Sequence, residues 1–161
     1  MRSRTDRRPW ELRGRDPSDE RGFTLVEMMV VVLVIGIMVA IALPTFAFAR
    51  SRAQDRAVQA DLRTGLAAGL TYFAEAADWD GFDAAQGTDS EPSLTWVDGG
   101  DPAVGEISIH VHAGWDLLLV AESVSGDFFC LAQVQASPAT LQGSGPTFAS
   151  VDSVAECTGG W

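Results

Sequence analysis

The sequence predicts an α+β fold: a long N-terminal helix, apolar in its first half and amphipathic in its second, packed on a small antiparallel sheet of three to four strands. Three observations carry this. Residues 28–49 form a run of 22 residues without a charge. Val58, Leu62, Leu66, Leu70, Phe73 and Ala77 then recur at spacings of four, four, four, three and four, which is one helical stripe. From residue 94 onward, short apolar segments alternate with turn clusters, the pattern of strands joined by tight connections.

The chain divides by composition into four segments. Residues 1–22 hold seven arginines and five acids and are broken by Pro9 and Pro17. Nothing there builds a core, so this is read as a disordered leader. Residues 23–49 are the apolar helix. An uncharged helix of 22 residues extends roughly 33 Å, enough to cross a hydrocarbon layer of about 30 Å. Glu27 sits just inside its N-terminal end. A carboxylate there costs on the order of 2–3 kcal/mol in lipid, so Glu27 is expected to be partnered or neutralised. The basic leader before the apolar run puts the N-terminus on the cytoplasmic side and the remainder outside. Two competing readings are a secretory signal peptide, with Ala47-Phe48-Ala49 as its small-residue cut site, and an uncut single-span anchor. The run is long for the apolar region of a signal peptide.

The segment Arg21-Gly22-Phe23-Thr24-Leu25-Val26-Glu27, followed by the apolar run, resembles the class III signal peptide and first helix of the type IV pilins and pseudopilins. The resemblance covers about 30 residues. It implies cleavage by a prepilin peptidase between Gly22 and Phe23, N-methylation of Phe23, and a role in assembly for Glu27. Gly36 and Pro44 stand where many pilins have a helix-loosening glycine and proline. A bend near Pro44 also follows from its missing N–H and its crowding of the carbonyl one turn back.

Residues 50–77 continue the helix with an amphipathic face. Arg50, Arg52, Asp55, Arg56, Gln59, Asp61 and Arg63 fill the faces away from the stripe. Both a solvated face and a surface meeting acidic neighbours in a filament suit the arginines. Gly65 and Gly69 weaken the helix locally and allow close packing.

Residues 78–161 form an acidic head. From Phe23 onward there are four arginines against 17 acids, and after Arg63 there is no Lys or Arg. That balance argues against a nucleic-acid partner for the head. Residues 78–93 read as a loop. Asp78, Asp80, Asp83, Asp89 and Glu91 crowd it, but the spacing lacks the rest of an EF-hand, so a solvated acidic loop is the better reading than a calcium site. Leu94-Thr95-Trp96-Val97 is a short strand ended by Asp98-Gly99-Gly100-Asp101-Pro102. Glu106–His112, Asp116–Glu122 and 127–135 then make a three-strand meander. Residues 137–147 read as a Gly/Pro/Ser loop. Cys130 and Cys157, two cysteines in a segment expected outside the cell, suggest one disulfide. Closing that loop stabilises by roughly 3–4 kcal/mol in the chain-entropy model.

His110 and His112 share a strand face but lack an evident third ligand, so exposed strand histidines are the better reading than a metal site. Phe73, Phe128, Phe129 and Phe148 read as core. No catalytic constellation and no cofactor signature is present; the reading is a structural subunit, not an enzyme. The resemblance adds partners: further copies and other pilins in a filament, the prepilin peptidase, an assembly platform and its ATPase, and the membrane. It implies a single-pass precursor in the cytoplasmic membrane, then an extracellular filament serving adhesion, motility or DNA uptake. The alternatives are a pseudopilin of a type II secretion system and a single-span anchored binding module that never polymerises. A disulfide near the C-terminus favours pilin over major pseudopilin, where a calcium-binding loop is usual.

Overall fold

A computed structural model describes residues 22–112, 115–135 and 140–161. The chain divides into two units, Met1–Leu43 and Pro44–Trp161. Helix α1 (Leu25–Ala76) runs through both and contains Pro44.

In the first unit, α1 begins at a sequence-encoded cap. The hydroxyl of Thr24 accepts the Glu27 backbone N–H at 3.1 Å, and the Thr24 carbonyl accepts from Met28 at 3.2 Å. A threonine suits this position, because its hydroxyl satisfies one of the orphaned N–H groups of the first turn. From Leu25 to Leu43 every residue is exposed.

In the second unit, α1 packs through Leu62, Gly65, Leu66, Ala68 and Gly69, all buried. A Cβ on Gly65 would lie 3.0 Å from Trp96 Cη2, and one on Gly69 would lie 3.1 Å from Leu117 Cδ2. The two glycines therefore let the helix backbone press onto the sheet. Leu70, read as part of the apolar stripe, is instead exposed, because the glycines shift the contact face towards residues 65 and 69. Ala77, read as the last stripe position, is outside the helix with φ +64°. Its N–H bonds the Phe73 carbonyl at 2.8 Å, so an alanine occupies a left-handed cap usually given to glycine.

The segment read as a loop after residue 77 contains a short helix, α2 (Ala84–Ser90). The Asp83 carboxylate accepts the Ala85 and Gln86 N–H groups, and Asp98 accepts that of Ala84 at 2.7 Å. Trp79 and Phe82, on either side of Gly81, are buried. They stack with Phe73, Tyr72 and Trp96 in one aromatic group.

Five strands follow: β1 (Thr95–Asp98), β2 (Glu106–His112), β3 (Asp116–Glu122), β4 (Phe128–Gln133) and β5 (Thr140–Gly145). They lie in one sheet in sequence order. Pairing is antiparallel throughout except that β1 runs parallel to β2, with Trp96 opposite Ile107. Positive φ at Gly99, Gly100 and Gly105 turns the connection back along the strand instead of into a hairpin. The sheet thus has one strand more than the expected three to four. The addition is β5, in the segment read as a Gly/Pro/Ser loop.

Both faces of the sheet are covered, which explains why β3 and β4 read as near-continuous apolar runs. Ile107, Ile109, Leu117, Leu119, Phe129 and Leu131 face α1 and the aromatic group. Leu118, Val120, Phe128, Cys130 and Ala132 face Val151 and Cys157 from the C-terminal segment. That segment is firmly seated. Cys130 and Cys157 form a disulfide with Cα atoms 5.8 Å apart. Gly143 bridges to Gly159, and Gly160 donates to the Gln142 carbonyl at 2.9 Å. The Trp161 indole N–H bonds the Cys130 carbonyl at 3.1 Å, and the Arg63 guanidinium lies 4.5 Å over the Trp161 ring. Asp55, on α1, accepts hydroxyl hydrogen bonds from Ser123 at 2.7 Å and Ser125 at 2.6 Å, tying the β3–β4 turn to the helix.

Candidate assembly segment

The features that imply a function sit at the start of α1. Gly22 and Phe23 precede the helix, Phe23 71% exposed. Arg21 lies outside the described residues. Glu27 closes the first turn through its backbone N–H, which leaves its exposed carboxylate available to another group. Beyond it, Val30, Leu33, Ile37, Met38 and Ile41 are all more than half exposed. Valine, isoleucine and leucine occupy every side of the helix, so no polar face exists that water alone would accept. A helix apolar on all sides must be enclosed by lipid or by other apolar helices. The segment is long and apolar enough to cross a membrane. Gly36 stands within it, and a Cβ there would meet no atom within 4 Å. Pro44 opens the second unit.

The family model for the prokaryotic N-terminal methylation motif matches residues 17–43. The N-terminal segment of this chain is similar to that of the type IV pilins. The type IV major pilin protein PilA of Myxococcus xanthus is 40% identical over 55 residues, which is 34% of this chain and 25% of that protein. The type IV major alpha-pilin of Moraxella bovis is 43% identical over 49 residues, covering 30% of this chain and 31% of its own. Fimbrial protein Q of the same organism matches to the same extent. The chain thus spans no more than about a third of the length of the curated relatives it matches. No solved structure matches this chain.

The other residues singled out from the sequence lie in the second unit. Several acids of the segment after α1 have structural partners. Asp78 accepts the Asp80 N–H at 3.0 Å, Asp83 and Asp98 hold the start of α2, and Glu91 accepts the Ser93 hydroxyl at 2.7 Å. Among the described residues no group of three or more His, Cys, Asp or Glu is placed to hold a metal ion.

His110 is half-buried rather than exposed. Its Nε2 lies 3.0 Å from the Ser108 hydroxyl, and its ring lies 5.8 Å from that of Phe148. Burial, helped by the charge of His112, lowers its pKa below the ordinary 6.5, while Asp152 and the Gly100 backbone act in the opposite sense. Below pH 6.5 the unfolded chain therefore binds this proton more readily than the folded one, and folding weakens as pH falls. Melting of the full-length protein in detergent between pH 7 and pH 5 should show a loss of Tm that is smaller in His110→Asn. Equal slopes for the two proteins would refute the assignment.

Proposed function

We propose that this chain is a structural subunit of a type IV pilus-like surface filament. The observation that carries the proposal is the wholly exposed apolar first part of α1, Leu25 to Leu43, lying within the segment that matches the methylation-motif model. The names of the related proteins, major pilins and a fimbrial protein, support it. In this reading the precursor rests in the cytoplasmic membrane with its basic leader inside. A prepilin peptidase cuts between Gly22 and Phe23, and Phe23 is N-methylated. An assembly platform and its ATPase then transfer the helix from lipid into a bundle of like helices. Both surroundings offer the same apolar contact, so the transfer exposes little apolar surface to water.

Electron microscopy of cells with and without this chain tests the proposal: filaments present only with the chain are expected. Unchanged filaments on deletion, with secretion of exported proteins lost, would favour a type II secretion pseudopilin instead. Processing has its own test. Intact-mass measurement of the protein from cells should give a chain beginning at N-methyl-Phe23. Gly22→Leu should accumulate as full-length precursor in the membrane, because a bulky side chain obstructs the peptide at the cut. A mature chain starting after Ala49, or an uncut leader in the wild type, would refute this processing.

A further inference from the structure

Charge is segregated along the second unit. Its four arginines, Arg50, Arg52, Arg56 and Arg63, all fall within 14 residues of α1, and the 14 acids after Arg63 have no Lys or Arg among them. Arg63 is engaged with Trp161 of its own chain. Arg52 and Arg56 are not: both are exposed, and neither has an ion-pair partner among the described residues. Four positions apart, they stand on one flank of the helix. The sheet does not cover that flank, because α1 meets it through Leu62, Gly65, Leu66 and Gly69.

We propose that the Arg52–Arg56 flank of α1 is a docking surface for the acidic head of a second copy of this chain. The proposal rests on the filament reading above and adds to it a specific contact and register. The occupant follows from charge complementarity. Heads crowded together would repel one another, and this stretch of α1 holds the fixed cations of the chain beyond residue 23. On the head, Asp80, Asp83 and Asp98 converge on one open cleft of about 570 Å³, which also includes Phe82 and Ile109. Asp83 and Asp98 each use Oδ1 on the N–H groups of α2, and both residues are exposed. Guanidinium groups suit such a rim, since each presents several donors to carboxylate oxygens.

The geometry also sets a register. The Tyr72 hydroxyl donates to the Asp80 carbonyl at 2.6 Å, which places Asp80 beside residue 72 of α1. Arg52 and Arg56 lie 20 and 16 residues before Tyr72. At 1.5 Å per residue, a second copy docked in this way is shifted by about 24–30 Å along the helix axis.

The test is charge reversal in the full-length chain, expressed in cells lacking the wild-type copy. Arg52→Glu with Arg56→Glu should insert, be processed and melt like the wild type, since neither side chain packs in the core. Filament yield should fall about tenfold or more, the scale expected when a complementary pair becomes repulsive. Adding Asp80→Arg to that double variant should recover yield. In cells expressing Arg56→Cys together with Asp80→Cys, sheared filaments should contain a disulfide between copies. Normal filaments from the double reversal, or no cross-link in filaments that form, would overturn the contact and leave the filament reading standing. If the double reversal instead releases the precursor from the membrane fraction, the arginines serve anionic lipid and the proposal fails. Absence of filaments from the wild-type chain would overturn the filament reading itself.

Discussion

Cells whose only copy of this chain carries Glu27→Leu are expected to make none of its filaments, while the variant is still inserted and cut. The two halves of this expectation have separate causes. Insertion should persist because leucine removes the one charge between residues 23 and 49. The helix start should persist because the Thr24 cap takes the backbone N–H of residue 27, which the substitution keeps. Cleavage should persist because Arg21-Gly22-Phe23 is unchanged. Assembly is different. Cutting after Gly22 creates a cationic amine at Phe23, and in lipid or in a helix bundle both it and Glu27 need a partner. At about 4 Å and an effective dielectric of 20 their attraction is roughly 4 kcal/mol before desolvation is subtracted. Paired within one chain, the two charges only neutralise each other. Paired between chains, they fix the axial register of neighbouring subunits. The second arrangement makes Glu27→Leu unable to polymerise alone. Normal filaments built solely from this variant would show that the carboxylate does not direct assembly, and Glu27→Gln would separate the charge from hydrogen bonding.

What was legible in the sequence depended on how local its cause is. The N-terminal segment was legible because its features are contiguous: Arg21-Gly22-Phe23, an acid at Glu27 and an uncharged run need no tertiary partner to be recognised, whereas the cap at Thr24 emerged only from the structure. Strand β2 was legible from the alternation of Ile107, Ile109 and Val111, and β3 and β4 from their apolar density. Strand β5 was not, since Thr-Leu-Gln-Gly-Ser-Gly has the composition of a turn. Its glycines answer tertiary contacts instead: a Cβ on Gly143 would meet the Thr158 backbone, and one on Gly145 would meet Ser150. The segment after α1 looked polar because its acids outnumber its aromatics. Trp79 and Phe82 nevertheless carry it into the core, and Asp83 and Asp98 build a helix from it. The C-terminal segment has few apolar residues, and nothing local in it signals that it is seated on the sheet. Val151, Cys157 and Trp161 hold it, each through a partner distant in sequence. The arginines at 52 and 56 were visible as charges, but only the packing face of α1 shows that they are uncovered.

Gly143→Val is expected to be the most damaging single change in the head. A Cβ at this position would lie 2.7 Å from the Thr158 backbone nitrogen, 2.8 Å from its oxygen and 3.0 Å from Cys130 Sγ. Two of the three obstacles are backbone, and the third is tethered by the disulfide, so none can rotate away as a flexible side chain would. Relief requires moving residues 157–160 off the edge of β5. That breaks the bridge to Gly159 and the hydrogen bond from Gly160 to Gln142, and it draws Trp161 from the Cys130 carbonyl. It also opens the sheet face covered by Val151 and Cys157. Overpacking of a fitted core costs about 1–3 kcal/mol, and a clash with backbone belongs at the upper end. For a unit of this size a loss of about 3 kcal/mol lowers Tm by on the order of 10 °C. Near-UV circular dichroism of the full-length protein in detergent, with limited proteolysis of the C-terminal segment, measures both consequences. Gly126→Val is the control, since Gly126 shares the need for glycine, with φ +92°, but a Cβ there meets no atom within 4 Å. Its cost is therefore backbone strain alone, about 2 kcal/mol for a β-branched residue. Should Gly143→Val fail to accumulate, Gly143→Ala carries the same Cβ with less bulk and is expected to lose Tm while still folding. If Gly143→Ala melted no lower than Gly126→Val, with its C-terminal segment equally resistant to protease, residues 157–160 would not be seated against β5 as described.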